Sequence, residues 1–415
     1  MKAAIHVLIM VILLPALSSA QDSWEHIGLN NHNVISLTFN SKGHIFAGTV
    51  EGTIFYSFND GDNWTESFRT GYDMGQAHSL IVNSEGAIFV GFAYGSPDSK
   101  GMYYSDDMQM WTGVGMRGHN VYCLDINSNG HIFAGTESGV YRSADNGGHW
   151  DSLEDIGLTQ RNVISLTLNS KGHIFAGTVE GTIFYSFDDG DNWKESFRTG
   201  YDMGEAHSLI VNSEGAIFVG FAYGSPDSKG MYYSDDMQMW QSVGLGGHDI
   251  YCLDINSNGH IFAGTESGVY RSADNGGHWV PFNTGLNKEE VYCIGIDSQE
   301  YIFIGTNNGI YRSTQSTTSV EEMSIKLPMA FKLGQNTPNP FNPSTTIRFD
   351  LPESSEISLK VYTLLGEEVE TLISQNLSAG EHQVDWNAGN LPGGIYLVRL
   401  QAGGFVQTRK MILTK

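Results

Sequence analysis

Apolar and polar positions alternate with a period of two along most of the chain, in short runs broken by Gly, Asn, Asp and Ser. The stretch His131–Trp150, HIFAGTESGVYRSADNGGHW, shows the unit. It predicts a strand at His131–Thr136, a tight turn at Glu137-Ser138-Gly139, a second strand at Val140–Ser143 and a hairpin loop closed by a tryptophan. A further strand precedes it, as in Asn33–Asn40 (NVISLTFN) or Asn120–Asn127 (NVYCLDIN). In the first of these Ile35, Leu37 and Phe39 share one face, and Val34, Ser36 and Thr38 the other. Both faces carry apolar residues, which suits a strand packed between two neighbouring sheets.

The unit recurs. Its first strand starts at Val34, Ala77, Val121, Val163, Ala206, Ile250 and Val291, at intervals of 41 to 44 residues. A block of three units is also copied almost verbatim, so that Trp64, Trp111 and Trp150 return as Trp193, Trp240 and Trp279, each 129 residues on. Units of this length are those of four-stranded propeller blades. The expected fold class is therefore all-β, with a seven-bladed β-propeller over residues 21–315. The seventh unit stops at Tyr311–Gln315 without its tryptophan, whereas Ser23–Leu29 (SWEHIGL) reads as a stray fourth strand. It is predicted to close the ring beside Ile310–Ser313, so that no sheet edge stays open. The third residue of each first strand is small: Ser36, Ser79, Cys123, Ser165, Ser208, Cys252 and Cys293. This suits strands crowding around an axis and makes the three cysteines core groups. Cys123 and Cys252 fall three blades apart, too far for a disulfide; Cys252 and Cys293 are the pair in adjacent blades.

Composition adds location. The net charge of −24 argues against nucleic acid or an anionic membrane as partner. Residues 1–20 read as a signal peptide: Lys2, the apolar run Ala3–Leu17, then Ser18-Ser19-Ala20 before Gln21. No transmembrane segment is expected in the mature chain. Residues 316–332 read as a polar linker. From residue 333 to 415 new alternating strands appear at Thr345–Leu351, Glu356–Tyr362, Gly380–Trp386, Gly394–Ala402 and Phe405–Leu413, which predict a small immunoglobulin-like β-sandwich.

This last part closely resembles the C-terminal sorting domain of the type IX secretion system. The matching residues are Asn339-Pro340-Phe341-Asn342-Pro343, Val361-Tyr362, Gly366, Leu391-Pro392-Gly393-Gly394-Ile395-Tyr396 and Lys410-Met411-Ile412-Leu413. The resemblance implies a protein secreted or displayed at the outer-membrane surface, with the type IX machinery as partner of this domain. It also implies a domain that is usually cleaved off after transport.

The hairpin loops SADNGGHW (Ser143–Trp150 and Ser272–Trp279) and SFDDGDNW (Ser186–Trp193) fit the pattern Ser-x-Asp-x-Gly-x-x-Trp. SFNDGDNW (Ser57–Trp64) departs by Asn59, and SDDMQMW (Ser105–Trp111, Ser234–Trp240) is one residue short. These resemble the Asp-box, or bacterial neuraminidase repeat, of sialidase-like propellers. The resemblance implies a folding role for Ser143, Asp145, Gly147 and Trp150, for Ser186, Asp188, Gly190 and Trp193, and for Ser272, Asp274, Gly276 and Trp279. In it the Asp accepts turn amides, the Gly takes a special backbone angle and the Trp packs into the blade.

Sialidase activity itself is not expected. That family uses three arginines and a Phe-Arg-Ile-Pro motif, and Ser67-Phe68-Arg69-Thr70 is not a match. Arg142, Arg271 and Arg312 stand just before the box position, on the peripheral side. Long loops gather instead in the second and fifth units, at Phe68–His78 and Phe92–Gly101 and in their copies Phe197–His207 and Phe221–Gly230. They offer Arg69, Tyr72, Asp73, Tyr94, Asp98 and Lys100, with Arg198, Tyr201, Asp202, Tyr223, Asp227 and Lys229 in the copy. His119 and His248 precede their strands and are expected to be exposed, whereas His78, aligned with Ile35 and Tyr122, reads as a packed histidine. Aromatic and hydrogen-bonding groups on protruding loops suit recognition of a glycan or a protein. A glycoside hydrolase of the Asp-box superfamily is the alternative, with Asp73, Asp98, Asp202 and Asp227 as candidate carboxylates. Their duplication favours binding, since a catalytic centre is a single asymmetric constellation. A third reading is a sensor-like propeller, because I-F-A-G-T…G-V-Y-R-S also resembles two-component regulator propeller repeats. Neither a cofactor nor a metal is expected.

Overall fold

The computed structural model describes residues 23–69, 75–96, 101–153, 158, 160–198, 204–225, 229–317, 331–352, 355–377, 380–389 and 391–414. The signal-peptide reading of residues 1–20 and most of the 316–332 linker reading lie outside these residues. The chain divides into two compact units, Met1–Ser319 and Val320–Lys415.

In the first unit the described residues form seven four-stranded antiparallel sheets. Each follows sequence order from an innermost strand outward, as in Val121–Ile126, Ile132–Thr136, Gly139–Ser143 and Asp151–Ser152 of blade 3. Each innermost strand packs against that of the next blade, and that of blade 7, Val291–Ile296, packs against Val34–Phe39 of blade 1. The ring is thereby closed. Its seventh sheet takes its outermost strand from the other end of the unit, Trp24–Gly28, with Trp24 opposite Ser313 and Gly28 opposite Ile310.

The second strand of each blade, such as Ile45–Thr49 or Ile132–Thr136, is buried along its length, except that those of blades 2 and 5 end on the exposed Tyr94 and Tyr223. Its glycine explains the small residue opposite it. Gly135 pairs with Cys123, and a Cβ on Gly135 would stand 2.3 Å from Cys123 Sγ and 2.8 Å from the Val163 carbonyl of the next blade. Gly48 stands likewise to Ser36 Oγ at 2.4 Å and the Ala77 carbonyl at 2.7 Å. The small third residue therefore answers the backbone of the neighbouring blade: Ser36 Oγ donates to Ala77 O at 2.7 Å, and Cys123 Sγ lies 3.7 Å from Val163 O. All three cysteines are free and buried, and burial pushes the Cys293 thiol up to about 12. Simple alternation along the innermost strands is broken by a bulge after their first residue, between Val34 and Ser36 and at each equivalent place. The bulged residue is added at the end of the strand that opens on the long loops.

The loops with the Ser-x-Asp-x-Gly-x-x-Trp pattern join third to fourth strands at the opposite, lower face. Ser143 Oγ donates to Asp145 Oδ1 at 2.9 Å and accepts the Gly147 amide at 2.8 Å; Asp145 Oδ1 accepts the His149 amide at 2.8 Å. That amide holds the Asp145 carboxyl below the usual carboxylate range. Ser186, Asp188 and Gly190, and Ser272, Asp274 and Gly276, repeat the arrangement. Gly147, Gly190 and Gly276 have φ near +85° to +89°. Trp150 Nε1 donates to Val114 O at 2.8 Å and Trp279 Nε1 to Val243 O at 2.7 Å, so each ring rivets its blade to the outermost segment of the blade before it. Trp193 is buried in the core between blades 3 and 4. On the same face Asp189 Oδ2 takes His131 Nδ1 at 3.0 Å and Arg142 Nη1 at 3.3 Å, a second tie between blades 3 and 4.

The second unit is a β-sandwich. A three-stranded sheet (Lys332–Leu333, Ser344–Leu351, Gly380–Asn387) faces a four-stranded one (Glu368–Leu377, Ser355–Thr363, Gly394–Ala402, Phe405–Leu413). Ile347, Phe349, Leu359, Val398, Leu400 and Met411 form its core with Trp386. The strand Glu368–Leu377 was not legible in the sequence, because two register shifts against Ser355–Thr363 interrupt its alternation.

Candidate functional site

The loops from second to third strands and from fourth strands to the next blade share the upper face. There the bulged residues of the innermost strands are Ile35, His78, Tyr122, Ile164, His207, Tyr251 and Tyr292. Aromatic residues therefore gather at the upper mouth of the ring. The His78 ring lies 5.9 Å from both Tyr94 and Tyr122, and Tyr94 lies 5.6 Å from Tyr122. The copy repeats this: His207 is 5.9 Å from Tyr223 and Tyr251, and Tyr223 is 5.8 Å from Tyr251. Tyr251 continues to Tyr292 at 5.9 Å.

Tyr94 and Tyr223 are each 62% exposed. Both also adopt left-handed backbone, with φ of 62° and 60°, which is uncommon for a bulky residue. A side chain of the next blade holds each one: the Tyr94 amide donates to Asn120 Oδ1 at 2.7 Å, and the Tyr223 amide to Asp249 Oδ1 at 2.6 Å. Lys229 completes the second arrangement, with Nζ 2.9 Å from Asp249 Oδ2.

The two histidines sit beneath. His78 Nδ1 donates to Tyr122 O and His207 Nδ1 to Tyr251 O, both at 2.9 Å. Burial pushes His78 down to about 4, and burial also lowers His207, so both are neutral at pH 7. Burial pushes the Tyr122 phenol up to about 12. It also raises the carboxyl of Glu205, and burial first, with the Glu205 charge second, raises the phenols of Tyr94 and Tyr223.

The remaining sequence-derived candidates are distributed differently. Tyr72, Asp73, Asp98, Lys100, Tyr201, Asp202 and Asp227 lie outside the described residues. Arg69 and Arg198 end the outermost strands of blades 1 and 4. Three strand spacings, roughly 14 Å, separate them from the innermost strands. Arg198 Nε lies 3.4 Å from Glu195. His119 and His248 are partly exposed and paired with second-to-third-strand loops, to Glu137 at 3.4 Å and Glu266 at 2.8 Å. The carboxylates also cap the next amides, Asn120 N to Glu137 and Asp249 N to Glu266. These histidines therefore fasten connections rather than line the mouth.

Sequence reasoning missed Tyr251, Tyr292 and Glu205 as members of the site. The signal was present in the bulge slot, which reads Ile, His, Tyr, Ile, His, Tyr, Tyr around the ring. Among the described residues no group of three or more His, Cys, Asp or Glu side chains is placed to hold a metal ion. No described helix is long and apolar enough to cross a membrane.

Residues 337–414 match the family model of the secretion system C-terminal sorting domain. No curated protein matches the chain. Among solved structures, the extracellular domain of BT3049 from B. thetaiotaomicron, described as a hybrid two component system, is similar over 95% of this chain and 58% of its own, with 14% identity and a TM-score of 0.61. PorZ, an essential bacterial surface component of the type-IX secretion system of Porphyromonas gingivalis, is similar over 92% of this chain and 60% of its own, with 13% identity and a TM-score of 0.54. Virginiamycin B lyase from Staphylococcus aureus, with quinupristin, is similar over 71% of this chain and 99% of its own, with 12% identity and a TM-score of 0.59. The chain thus spans about three fifths of the length of the first two. At these identities the likeness shows the fold alone. Residues 337–414 are a type IX secretion system sorting domain, and the β-propeller chain that carries them is exported to the cell surface or the extracellular space.

Proposed function

We propose that this exported propeller is a recognition protein, which binds a glycan or protein ligand at the upper mouth without turning it over. The reading is carried by one observation. Tyr94 and Tyr223 present exposed rings on left-handed backbone, each held there by a dedicated side chain of the next blade. Such a backbone costs on the order of 1–3 kcal/mol. Folding gains little from a ring left in water, whereas a binding surface gains a rigid aromatic wall.

The test is a glycan-array and polysaccharide pull-down with the full chain, extended to surface-protein extracts, with product analysis of every hit. Binding without released product, abolished in the Tyr94→Ala/Tyr223→Ala double variant, is the expected result. Binding that ignores both tyrosines contradicts it.

A second reading, a glycoside hydrolase, draws support from Glu205. It is a carboxyl raised by burial, and its copy in the first half is Gln76, so it supplies asymmetry. Released sugar that disappears in Glu205→Gln while binding persists would favour that reading.

A further inference from the structure

In blades 1 to 6 a hairpin loop on the lower face joins the third strand to the fourth. Blade 7 takes its fourth strand, Trp24–Gly28, from the other end of the unit, and its third strand, Gly309–Ser313, runs on into Thr314–Thr317. Closing the ring in this way removes one hairpin loop, and with it whatever that loop would have offered to blade 6.

The duplicate shows what such a loop offers. Asn127, between the first two strands of blade 3, accepts Asn129 N at 3.0 Å and His131 N at 2.9 Å on Oδ1, which fixes its amide group. Its Nδ2 donates to Asp189 Oδ1, in the hairpin loop of blade 4, at 2.9 Å. Asp189 Oδ2 takes His131 Nδ1 at 3.0 Å and Arg142 Nη1 at 3.3 Å. One carboxylate thus answers an amide, an imidazole and a guanidinium.

Blade 6 repeats the three donors. Asn256 Oδ1 accepts Asn258 N at 3.1 Å and His260 N at 2.8 Å, so its amide is fixed in the same way. Arg271 stands opposite Phe262 as Arg142 stands opposite Phe133. The acceptor is what changes. Three residues past the last serine of the third strand, blade 4 has Asp189 and blade 7 has Ser316. Asn256 is only 6% exposed, and its Nδ2 has no hydrogen-bond partner among the described residues. Asn40 and Asn169, at the same slot of blades 1 and 4, are served by His44 Nδ1 at 3.1 Å and His173 Nδ1 at 3.2 Å. Those two rings lie against Phe58 and Phe187, each at 4.3 Å; blade 6 has Ala273 there, as blade 3 has Ala144. Glu300, in the corresponding turn of blade 7, is engaged by Thr317 Oγ1 at 3.0 Å and Ser257 N at 3.4 Å.

A buried amide without an acceptor costs about 1–3 kcal/mol, which a ligand oxygen would recover. The Asn256 acceptor oxygen is already taken by two backbone amides, so this place offers donors. A planar carboxylate, with two oxygens and no proton to place, suits them, and a charged acceptor strengthens each bond. One guanidinium can serve two carboxylates, as Arg142 does for Asp189 and Asp191, so Arg271 can add to the site beside any other partner.

We propose that the lower face between blades 6 and 7 binds a ligand carboxylate, which Asn256 Nδ2, His260 and Arg271 hold as Asn127, His131 and Arg142 hold that of Asp189. This site is independent of the upper mouth.

The experiment is an NMR titration of the full chain, read at the Asn256 side-chain amide and the His260 ring. The probes are acetate, a Gly-Asp-Gly peptide blocked at both ends, and chloride at equal ionic strength. Asn256→Asp is read at His260, and His260→Tyr at Asn256. Both variants place residues that blade 7 already carries at these slots, Asp297 and Tyr301, and Asp297 caps its turn in the same way. The expected result is a saturable shift with acetate or the peptide, weakened tenfold or more in each variant, with thermal unfolding unchanged. Tighter binding of the peptide identifies a polypeptide carboxylate as the ligand, and equal binding a free one; either supports the proposal. Equal shifts with chloride, shifts that survive both variants, or no saturable shift at all overturn it, and leave the recognition reading at the mouth untouched.

Discussion

Asp249 holds Tyr223 from the neighbouring blade: its Oδ1 accepts the Tyr223 amide at 2.6 Å while its Oδ2 takes Lys229 Nζ at 2.9 Å. Asn120 holds the Tyr94 amide in the same way at 2.7 Å. Presentation of the two exposed rings thus depends on the contact between consecutive blades. Asp249→Ala is expected to release Tyr223 and leave Lys229 unpaired. Ligand affinity should fall severalfold to tenfold, about 1–1.5 kcal/mol for the lost bond. Asp249→Asn should retain most of it, since Asn120 already does the same work. Titration of both variants, with circular dichroism unchanged, checks this.

Close approach of blades predicts where the fold is least tolerant. Gly135→Ala would drive a Cβ to 2.3 Å from Cys123 Sγ and 2.8 Å from a backbone carbonyl, and the carbonyl cannot step aside. A loss of about 1–3 kcal/mol is expected in denaturant unfolding. Cys123→Ser should stay within about 1 kcal/mol of the parent, because Ser36 fills the same slot and donates to Ala77 O.

Two half-buried aspartates predict a pH dependence of stability. Asp125 accepts Ile126 N and, from the next blade, Leu168 N; Asp254 accepts Ile255 N and Ile296 N. Burial pushes both carboxyls up from 3.8 to about 7, against those amides. The folded state then holds their protons more tightly than the unfolded chain. Their contribution is complete below about pH 4 and is lost as pH rises through about 7, by up to ~4 kcal/mol each. The unfolding midpoint should therefore fall between pH 4 and pH 8. Asp125→Thr/Asp254→Thr, which copies Thr38 and Thr167 at the same slot, should flatten that slope. A midpoint that rises over this range would refute the assignment.

The sorting domain predicts a change of location. A chain ending at residue 330 should accumulate inside the outer membrane of a type IX-competent host, whereas the full chain reaches the surface or the medium. Fractionation with immunoblotting distinguishes the two outcomes.

The repeat made the architecture readable in the sequence. Residues that pack between blades, such as Phe133 and Ala134, recur at fixed spacing because every pair of neighbouring blades solves the same packing problem. The site was only half readable. Tyr94 and Tyr223 stood out on long loops, but the role of Tyr251, Tyr292 and Glu205 depends on a bulge, and a bulge leaves no mark in a period-two pattern. His119 and His248 looked free because their partners Glu137 and Glu266 lie 18 residues on, across a hairpin that only the folded blade brings together. The small third residue was legible as small, but its cause, the backbone of the next blade, is a tertiary contact.

The most direct test of the central claim is to find a ligand of the parent chain by array and to titrate it against Tyr94→Ala, Tyr223→Ala and the double variant. Recognition at the upper mouth predicts a loss of at least fivefold in each single variant and no measurable binding in the double, with unchanged thermal unfolding. Undiminished affinity in the double variant would contradict it and place the ligand elsewhere on the propeller.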